Sequence, residues 1–297
     1  MGIFRRLITP TGEVEAFVFT IQTTTSNQSF ELPVYSFGGV QPNISVDWDD
    51  SSTSTITSET DSARLHTFTS AGTYTIAVTG VMPAFKVDNN PLYRTLYKSV
   101  VHWGTTNVKL MNFYGASNLT SLPNSGGIAT NNQGLNTLIN ADNFMRNTGI
   151  TSIPSGLFDF AINITSFVDS FSFINITSIP SGLFDNCTQV TTFNSTFNQC
   201  FNLASIPSNL FDNNTAVVNF SSTFKSCISI ASIPSGLFDN NTSVVTFFSL
   251  FRMPTTSNSL SGNAPTLWTR VPEPLGTYAF RNCTGLTNYA SIPANWK

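Results

Sequence analysis

Short alternations of apolar and polar residues fill the first third of the chain. In the run Glu13–Gln22, Phe17, Phe19 and Ile21 occupy every second position. Similar runs, separated by Gly, Pro, Asn and Asp, follow at Phe30–Tyr35, Ile44–Trp48, Thr53–Thr57, Leu65–Thr69 and Thr73–Thr79. A period of two in closely spaced short runs is typical of a β-sandwich. The pattern therefore predicts a β-sandwich over residues 1–98.

Beyond about residue 104 the pattern changes to an internal repeat that is marked by one recurring Phe. The marker positions lie 26 to 31 residues apart, at Phe113, Phe144, Phe171, Phe197, Phe224, Phe251 and Phe280. Val217, Phe220 and Phe224 show the i, i+3, i+7 spacing that predicts one face of a short helix. In residues 203–207, Leu and Ile precede a Pro that should end a short extended segment.

A single unit has no partner for its apolar side chains, so we expect the units to stack on one another. The prediction is an α/β solenoid of about seven rungs over residues 99–297, with short strands on one face and short helices on the other. Trp268 and Trp296 lie in an atypical final part, which predicts an irregular C-terminal cap over about residues 252–297.

Composition narrows the class of protein. The chain has 13 Lys and Arg against 16 Asp and Glu, and its net charge of −3 does not suit a nucleic-acid partner. Only 10% of residues are charged, and a surface rich in Ser, Thr and Asn suits a protein that works outside a cell. No apolar run reaches the length of a transmembrane helix, so we expect no membrane insertion. Arg5 and Arg6 are not followed by the apolar stretch of a signal peptide, which favours use without secretion.

The four cysteines are predicted to be buried thiols rather than disulfides or metal ligands. Cys200, Cys227 and Cys283 share one phase of the repeat, whereas Cys187 does not. No CxxC pair is present, and His66 and His102 lie far away in sequence, which disfavours zinc.

The acidic residues give no clear catalytic pattern. A carboxylate recurs after each Leu-Phe pair, and since every unit carries one, turn formation is favoured over catalysis; the residues are Asp159, Asp185, Asp212 and Asp239. The run of acids at Asp47, Asp49 and Asp50 suits either Ca²⁺ binding or a solvated turn, and both remain open. The solvated turn is the favoured interpretation of these acids, so we expect no catalytic residues, no metal site and no cofactor. An enzyme, such as a depolymerase acting on surface glycan, is the least favoured class of function.

Two parts of the sequence resemble known families. The repeat spacing at residues 200–207 (CFNLASIP) resembles BspA-like leucine-rich repeats, and residues 101–123 look like the leading segment of such arrays. Residues Val46–Thr79 are similar to a PKD-like, immunoglobulin-type domain, although Asp47–Asp50 (DWDD) lacks both glycines of that family's motif. The resemblance implies a PKD-like β-sandwich over 1–98, followed by an α/β leucine-rich-repeat solenoid over 99–297.

The resemblance also implies a function. Proteins of this type are surface adhesins of bacteria or virion proteins of tailed phages, and the missing leader and wall anchor favour the phage. We expect a non-enzymatic virion protein, either an accessory tail component or a capsid decoration, with a bacterial cell-surface leucine-rich-repeat adhesin as the alternative. The expected partners are other virion proteins or a host-surface glycan or protein, within a homo-oligomer or a larger assembly.

A candidate binding surface follows from the two small residues between the apolar positions of each predicted strand. If rungs stack about 5 Å apart, one residue of each pair should line an uncharged hydroxyl ladder that can bind a sugar chain or a neighbouring subunit. The candidates are Thr120, Ser121, Thr151, Ser152, Thr177, Ser178, Ser205 and Ser232. Alternatively, the serines turn inward to bond backbone groups, and binding occurs on the N-terminal loops or at Met253–Gly276.

Overall fold

The regular structure is concentrated in the first part of the chain. The computed structural model describes residues 16–123, 135–254 and 259–297. Its strands are β1 (Phe17–Thr23), β2 (Gln28–Glu31), β3 (Val34–Tyr35), β4 (Asn43–Asp47), β5 (Thr53–Ile56), β6 (Leu65–Phe68), β7 (Gly72–Val81), β8 (Ala84–Lys86), β9 (Tyr97–His102) and β10 (Leu110–Asn112). Short 3-10 helices lie at Ser62–Arg64, Val87–Asn89, Pro91–Leu96, Leu267–Thr269, Tyr289–Ser291 and Ala294–Trp296.

The largest sheet is antiparallel and has the strand order β5-β4-β7-β1-β9. Strand β1, which lies between β7 and β9, buries Phe17, Phe19 and Ile21, because alternate side chains of a strand point to the same face. A second antiparallel pair joins β2 and β6. The third sheet has the order β10-β8-β3, and its β8–β10 pair is parallel. This pair links residues 16–112, which we call the strand-rich part, to the beginning of the repeats.

The predicted strand runs correspond to observed strands with small shifts. The run Phe30–Tyr35 is divided into β2 and β3 around Pro33, which has no amide hydrogen for a sheet. Residues 13–15 of the first predicted run lie outside the described residues. Strand β9 crosses the domain boundary drawn at residue 98, and it pairs with β1. The division into two domains stays a prediction.

The predicted fold class, a β-sandwich followed by an α/β leucine-rich-repeat solenoid, is wrong. The described residues contain no α-helix, and their strands form mainly antiparallel sheets. Where short helices were expected, Ser195 and Gln199 have φ angles of 57° and 59°, which a right-handed helix does not contain. The amide of Phe193 donates to the carbonyl of Asn219 in the next unit (2.9 Å) instead of closing a helical turn.

The repeat units are therefore chains of tight turns. Between residues 193 and 200, every second amide donates to the neighbouring unit, and the amides between them close turns within the unit. For example, the Ser195 amide donates to the Ser221 carbonyl (2.8 Å), whereas the Thr196 amide donates to the Phe193 carbonyl (3.1 Å). The short strands expected opposite the helices are reduced to isolated bridges, such as Ser178 with Ser205. We call residues 135–254 and 259–283 the repeat stack.

Columns of phenylalanine rings form the core of the repeat stack. The rings of Phe167, Phe193, Phe220 and Phe247 follow one another at centroid distances of 5.6, 5.6 and 5.9 Å and lie within 10° of parallel. A second column runs through the marker residues Phe171, Phe197, Phe224, Phe251 and Phe280. All these rings are buried, so each unit supplies the covering surface for its neighbour.

Buried polar side chains join the units at a second position. Asn214 donates to the carbonyls of Phe184 (3.1 Å) and Cys187 (2.9 Å) of the preceding unit. Asn241 repeats this pair of bonds one unit later. In the following unit the guanidinium of Arg270 takes the same role and donates to the carbonyls of Phe238 and Asn241. Each of these side chains thus joins two backbone carbonyls of the preceding unit, and most of these carbonyls also accept a turn hydrogen bond from a backbone amide.

The cysteine prediction is confirmed, since all four cysteines are free and buried. The thiols of Cys200, Cys227 and Cys283 each donate to a phenylalanine carbonyl one unit earlier, at 3.0 Å. Burial raises the pKa of Cys187, Cys200 and Cys283 to about 12. Burial also holds the pKa of Cys227 well above its ordinary value. These thiols act as small apolar groups of the core.

Trp296 covers the C-terminal end of the repeat stack. Its ring is fully buried and lies 6.3 Å from the ring of Phe280. Its Nε1 donates to Oε1 of Glu273 (2.9 Å), and its carbonyl accepts from the Phe280 amide (2.8 Å). A side chain at Gly276 would overlap this ring, because a Cβ there would lie 2.0 Å from it. The glycine is therefore required for the close approach of the tryptophan.

Candidate binding surface

The eight predicted ladder residues all lie exposed on the surface. In each unit they sit between two buried aliphatic residues, as Ala204 and Ser205 sit between Leu203 and Ile206. A proline follows directly and donates no amide to a ladder, which keeps the extended segment short. The local sequence thus presents two small side chains to solvent from each unit.

Backbone contacts align several of these residues along the stack. Ser178 and Ser205 form a parallel bridge, and the Ala204 amide donates to the Thr177 carbonyl (3.0 Å). The Ala231 amide continues the line by donating to the Ala204 carbonyl (3.2 Å). Within the described residues, no bridge joins Thr151 or Ser152 to a neighbouring unit. The central and C-terminal part of the predicted ladder is therefore its best-aligned part.

The structure extends the line by two residues that the sequence pattern missed. Ser261 bridges Ser232, and its hydroxyl donates to the Ala231 carbonyl (3.0 Å). Ser261 comes directly after the buried Leu260, and the predicted ladder residues likewise come after a buried aliphatic residue. This feature of the sequence could have identified Ser261. Ser99 bridges Ser121 from strand β9, outside the repeats, and no repeat pattern could reveal it. We call Ser178, Ser205, Ser232 and Ser261 the serine ladder.

The recurring aspartates occupy one kind of turn. The amides of Asp159, Asp185 and Asp239 donate to the carbonyl of a glycine three residues earlier, at 3.0 to 3.1 Å. The Asp212 amide bonds the Asn209 carbonyl in the same way (3.3 Å). Their side chains are exposed or half-buried in separate units. The arrangement repeats along the stack, which fits the turn interpretation.

A depression of about 570 Å³ lies beside Asp239, Arg270 and Glu273. Two of these three charged groups are engaged in holding the fold. Arg270 bonds two backbone carbonyls, and Glu273 accepts the hydrogen bond of Trp296. These contacts give Arg270 and Glu273 a structural role.

The acids at the end of β4 bind three different partners. Oδ1 of Asp47 accepts from the Asp49 amide (3.0 Å), and Oδ2 of Asp49 accepts from the Thr75 amide (2.8 Å). Asp50 lies 2.7 Å from Nε2 of His66, whose ring stacks on Trp48. Partial burial opposes ionisation of Asp50, but hydrogen bonds from Ser52 and His66 outweigh it and lower its pKa. This arrangement fits the turn interpretation. In the described ranges, no three His, Cys, Asp or Glu side chains are grouped to hold a metal ion.

No protein-family model matches the chain, and no curated protein shows significant similarity to it. The resemblance to BspA-like repeats and to PKD-like domains therefore stays a prediction. Across residues 16–123, 135–254 and 259–297, the structure contains no helix with the length and apolar character needed to cross a bilayer.

Proposed function

We propose that this chain is a non-enzymatic binding protein of a tailed phage particle, used as an accessory tail component or a capsid decoration. The serine ladder is the surface that contacts a host-surface glycan or a neighbouring subunit. The observation that carries the proposal is the exposure of the same small residues in successive units, in line with one another.

The physical properties of the serine ladder support a binding role. Hydroxyls on an uncharged surface can exchange water for the hydroxyls of a sugar without the cost of desolvating a charge. The flanking aliphatic residues are buried, so the ladder side chains contribute little to the core. A surface of this kind is free to vary in recognition while the stack beneath it stays unchanged.

A bacterial cell-surface adhesin is the second candidate, because the same surface would serve attachment between cells. The repeat resemblance is compatible with either location. Both candidates require an exposed, non-catalytic contact surface. They differ in where the protein resides.

Immunogold electron microscopy with antibodies against the purified chain tests the location. Gold on the tail or capsid of purified particles, and none on uninfected host cells, is the expected result. Gold on the envelope of uninfected cells would replace the first candidate with the second. Release of soluble glycan from host envelopes by the purified chain would overturn both, because it would identify an enzyme.

A further inference from the structure

Three cations occupy the same position in successive units near the C-terminal end of the repeat stack. Lys225, Arg252 and Arg281 follow one another because the Ser226 amide donates to the Arg252 carbonyl and the Met253 amide donates to the Arg281 carbonyl, each at 2.9 Å. The three side chains line a depression of about 330 Å³. We call Lys225, Arg252 and Arg281 the basic cluster.

An equivalent cation earlier in the stack is neutralised by a carboxylate. Nη1 of Arg146 lies 3.4 Å from Oδ2 of Asp169, which belongs to the next unit. Asp169 has a positive φ of 56°. The residues at the equivalent position in the units that follow Lys225 and Arg252 are Ser249 and Tyr278, with φ angles of 55° and 60°. The chain thus carries a carboxylate at this position beside Arg146 and uncharged residues beside the basic cluster.

The basic cluster has no acidic partner within the described residues. The ion pairs found there involve Arg64, His66 and Arg146. Residues 255–258, which follow the cluster in sequence, are Thr, Thr, Ser and Asn and carry no charge. Three unneutralised cations side by side repel one another, so an anion that binds them gains from relieving this repulsion.

Exposed aromatic rings lie against the basic cluster. The guanidinium groups of Arg281 and Arg252 lie 4.8 and 5.9 Å from the centroid of the Tyr278 ring. The ring of Phe248 lies 6.3 Å from the ring of Tyr278. Phe248 and Tyr278 are 39% and 38% exposed, so both retain surface for a ligand. Cation–π contacts orient the guanidinium groups without cancelling their charge.

We propose that the basic cluster binds an acidic polysaccharide, with its cations on carboxylate or sulfate groups and Tyr278 and Phe248 against the sugar rings. Guanidinium groups bind oxyanions through two parallel hydrogen bonds, and lysine supplies a point charge. Ser226 lines the same depression and offers a hydroxyl to sugar hydroxyls. The inference is independent of the serine ladder, which involves other residues.

A saccharide fits these observations better than a nucleic acid. The equivalent positions in the two preceding units are Asn198 and Ser172, so the positive charge ends after three units. The whole chain has a net charge of −3, whereas nucleic-acid binders carry an extended basic footprint. A short basic segment beside aromatic rings is suited to a few acidic sugars.

Fluorescence anisotropy of labelled polysaccharides tests the proposal on the full chain. The probes are dextran sulfate, polygalacturonate and neutral dextran, with a single-stranded DNA oligonucleotide as the competing polyanion. We expect salt-sensitive binding of at least one acidic polysaccharide, and its identity distinguishes sulfate from carboxylate recognition. The triple variant K225Q/R252Q/R281Q should weaken this binding by at least about tenfold.

Two further variants make the result specific. The control K98Q/K109Q/K297Q changes the net charge equally, from −3 to −6, and should keep most of the binding. Tyr278→Asp places a carboxylate beside Arg252, at the position equivalent to that of Asp169 beside Arg146. It should reduce binding, and it gives a test that stands even if the triple variant folds poorly.

Three results would overturn the proposal. One is the absence of binding to both acidic polysaccharides, and another is equal loss of binding in both triple variants. The third is tighter binding of the oligonucleotide than of either acidic polysaccharide.

Discussion

The strand-rich part and the repeat stack hold their backbones together in different ways. Strand β1 pairs with β7 over all seven of its residues, from Phe17 with Val78 to Thr23 with Gly72. In the repeat stack, amides alternate between the next unit and turns within their own unit. The first part is therefore held by regular pairing along whole strands, whereas each unit of the second depends on the two units beside it.

The two parts also differ in what their surfaces are free to do. Polar groups near β4 are engaged with one another, as in the contact of Asp50 with His66. In the repeat stack, buried Phe and Asn side chains hold the units together, while the serine ladder and the basic cluster face outward. Stability and recognition are thus assigned to different residues in the repeat stack.

Removal of one ring from the middle of a column should have the largest effect. Phe193 stacks between Phe167 and Phe220, so Phe193→Ala leaves a cavity against both neighbouring units. We expect a loss of about 3–5 kcal/mol in the free energy of unfolding, measured by chemical denaturation. Phe201→Ala, at a position that is 43% exposed, is the control and should cost less than about 1 kcal/mol. Equal losses would show that the columns do not hold the stack.

The buried asparagines should come next in size. Asn241→Ala removes two buried hydrogen bonds between units, to the carbonyls of Phe211 and Asn214, which keep only their backbone donors. The loss of the two bonds should cost about 1–3 kcal/mol. Asn240→Ala removes the neighbouring amide, which is exposed and bonds Asp212. Denaturation of both variants should show a clear loss for Asn241→Ala alone. A stable Asn241→Ala protein would mean that water replaces the amide.

A smaller effect is expected in the strand-rich part. Asp50→Asn weakens the contacts with His66 and Ser52, at a cost of about 1 kcal/mol at neutral pH. Because the folded state lowers the pKa of Asp50, its contribution is present above the ordinary value of 3.8 and is lost as pH falls through the folded-state pKa. The stability difference from wild type should therefore vanish in acid. Asp159→Asn, at an exposed turn, should show neither the loss nor the pH dependence.

The cysteine thiols should not react in the folded chain. Burial raises the pKa of Cys200 to about 12, so Ellman's reagent at pH 8 should label no thiol before unfolding and four afterwards. The same shift makes the folded chain less stable as pH rises above 9.0, because the unfolded thiols ionise first. Rapid labelling of native protein would place at least one thiol at the surface.

The sequence pattern could predict the buried positions but not the local backbone. Alternation at Phe17, Phe19 and Ile21 matches β1, and the repeating Phe residues are in the core. The helix prediction failed because the i, i+3, i+7 spacing also fits consecutive turns. Ser195 and Gln199 adopt positive φ although neither is Gly, Asn or Asp, the residues that usually mark such turns. The signal lies in other units, where Asn143, Asn147 and Asp169 also have positive φ.

The candidate sites differ in how far the sequence could reveal them. The ladder residues recur at a fixed place in the repeat and lie on the surface as expected. The basic cluster is also periodic, since each cation directly follows a marker Phe, at Phe224, Phe251 and Phe280. The sequence could not show that these cations lack a neighbouring carboxylate, because this depends on which residue of the next unit lies beside each cation.

The double variant Ser178→Arg with Ser205→Arg tests most directly whether the exposed ladder carries recognition apart from stability. Both serines are exposed and aligned, so the thermal midpoint should stay nearly unchanged. Attachment of the labelled chain to host cells and to particles lacking it should be lost. Thr188→Arg with Thr215→Arg places the same charges at exposed sites in adjacent units and should bind as wild type does. Intact attachment of the serine variant, or a collapse of its midpoint, would contradict the assignment.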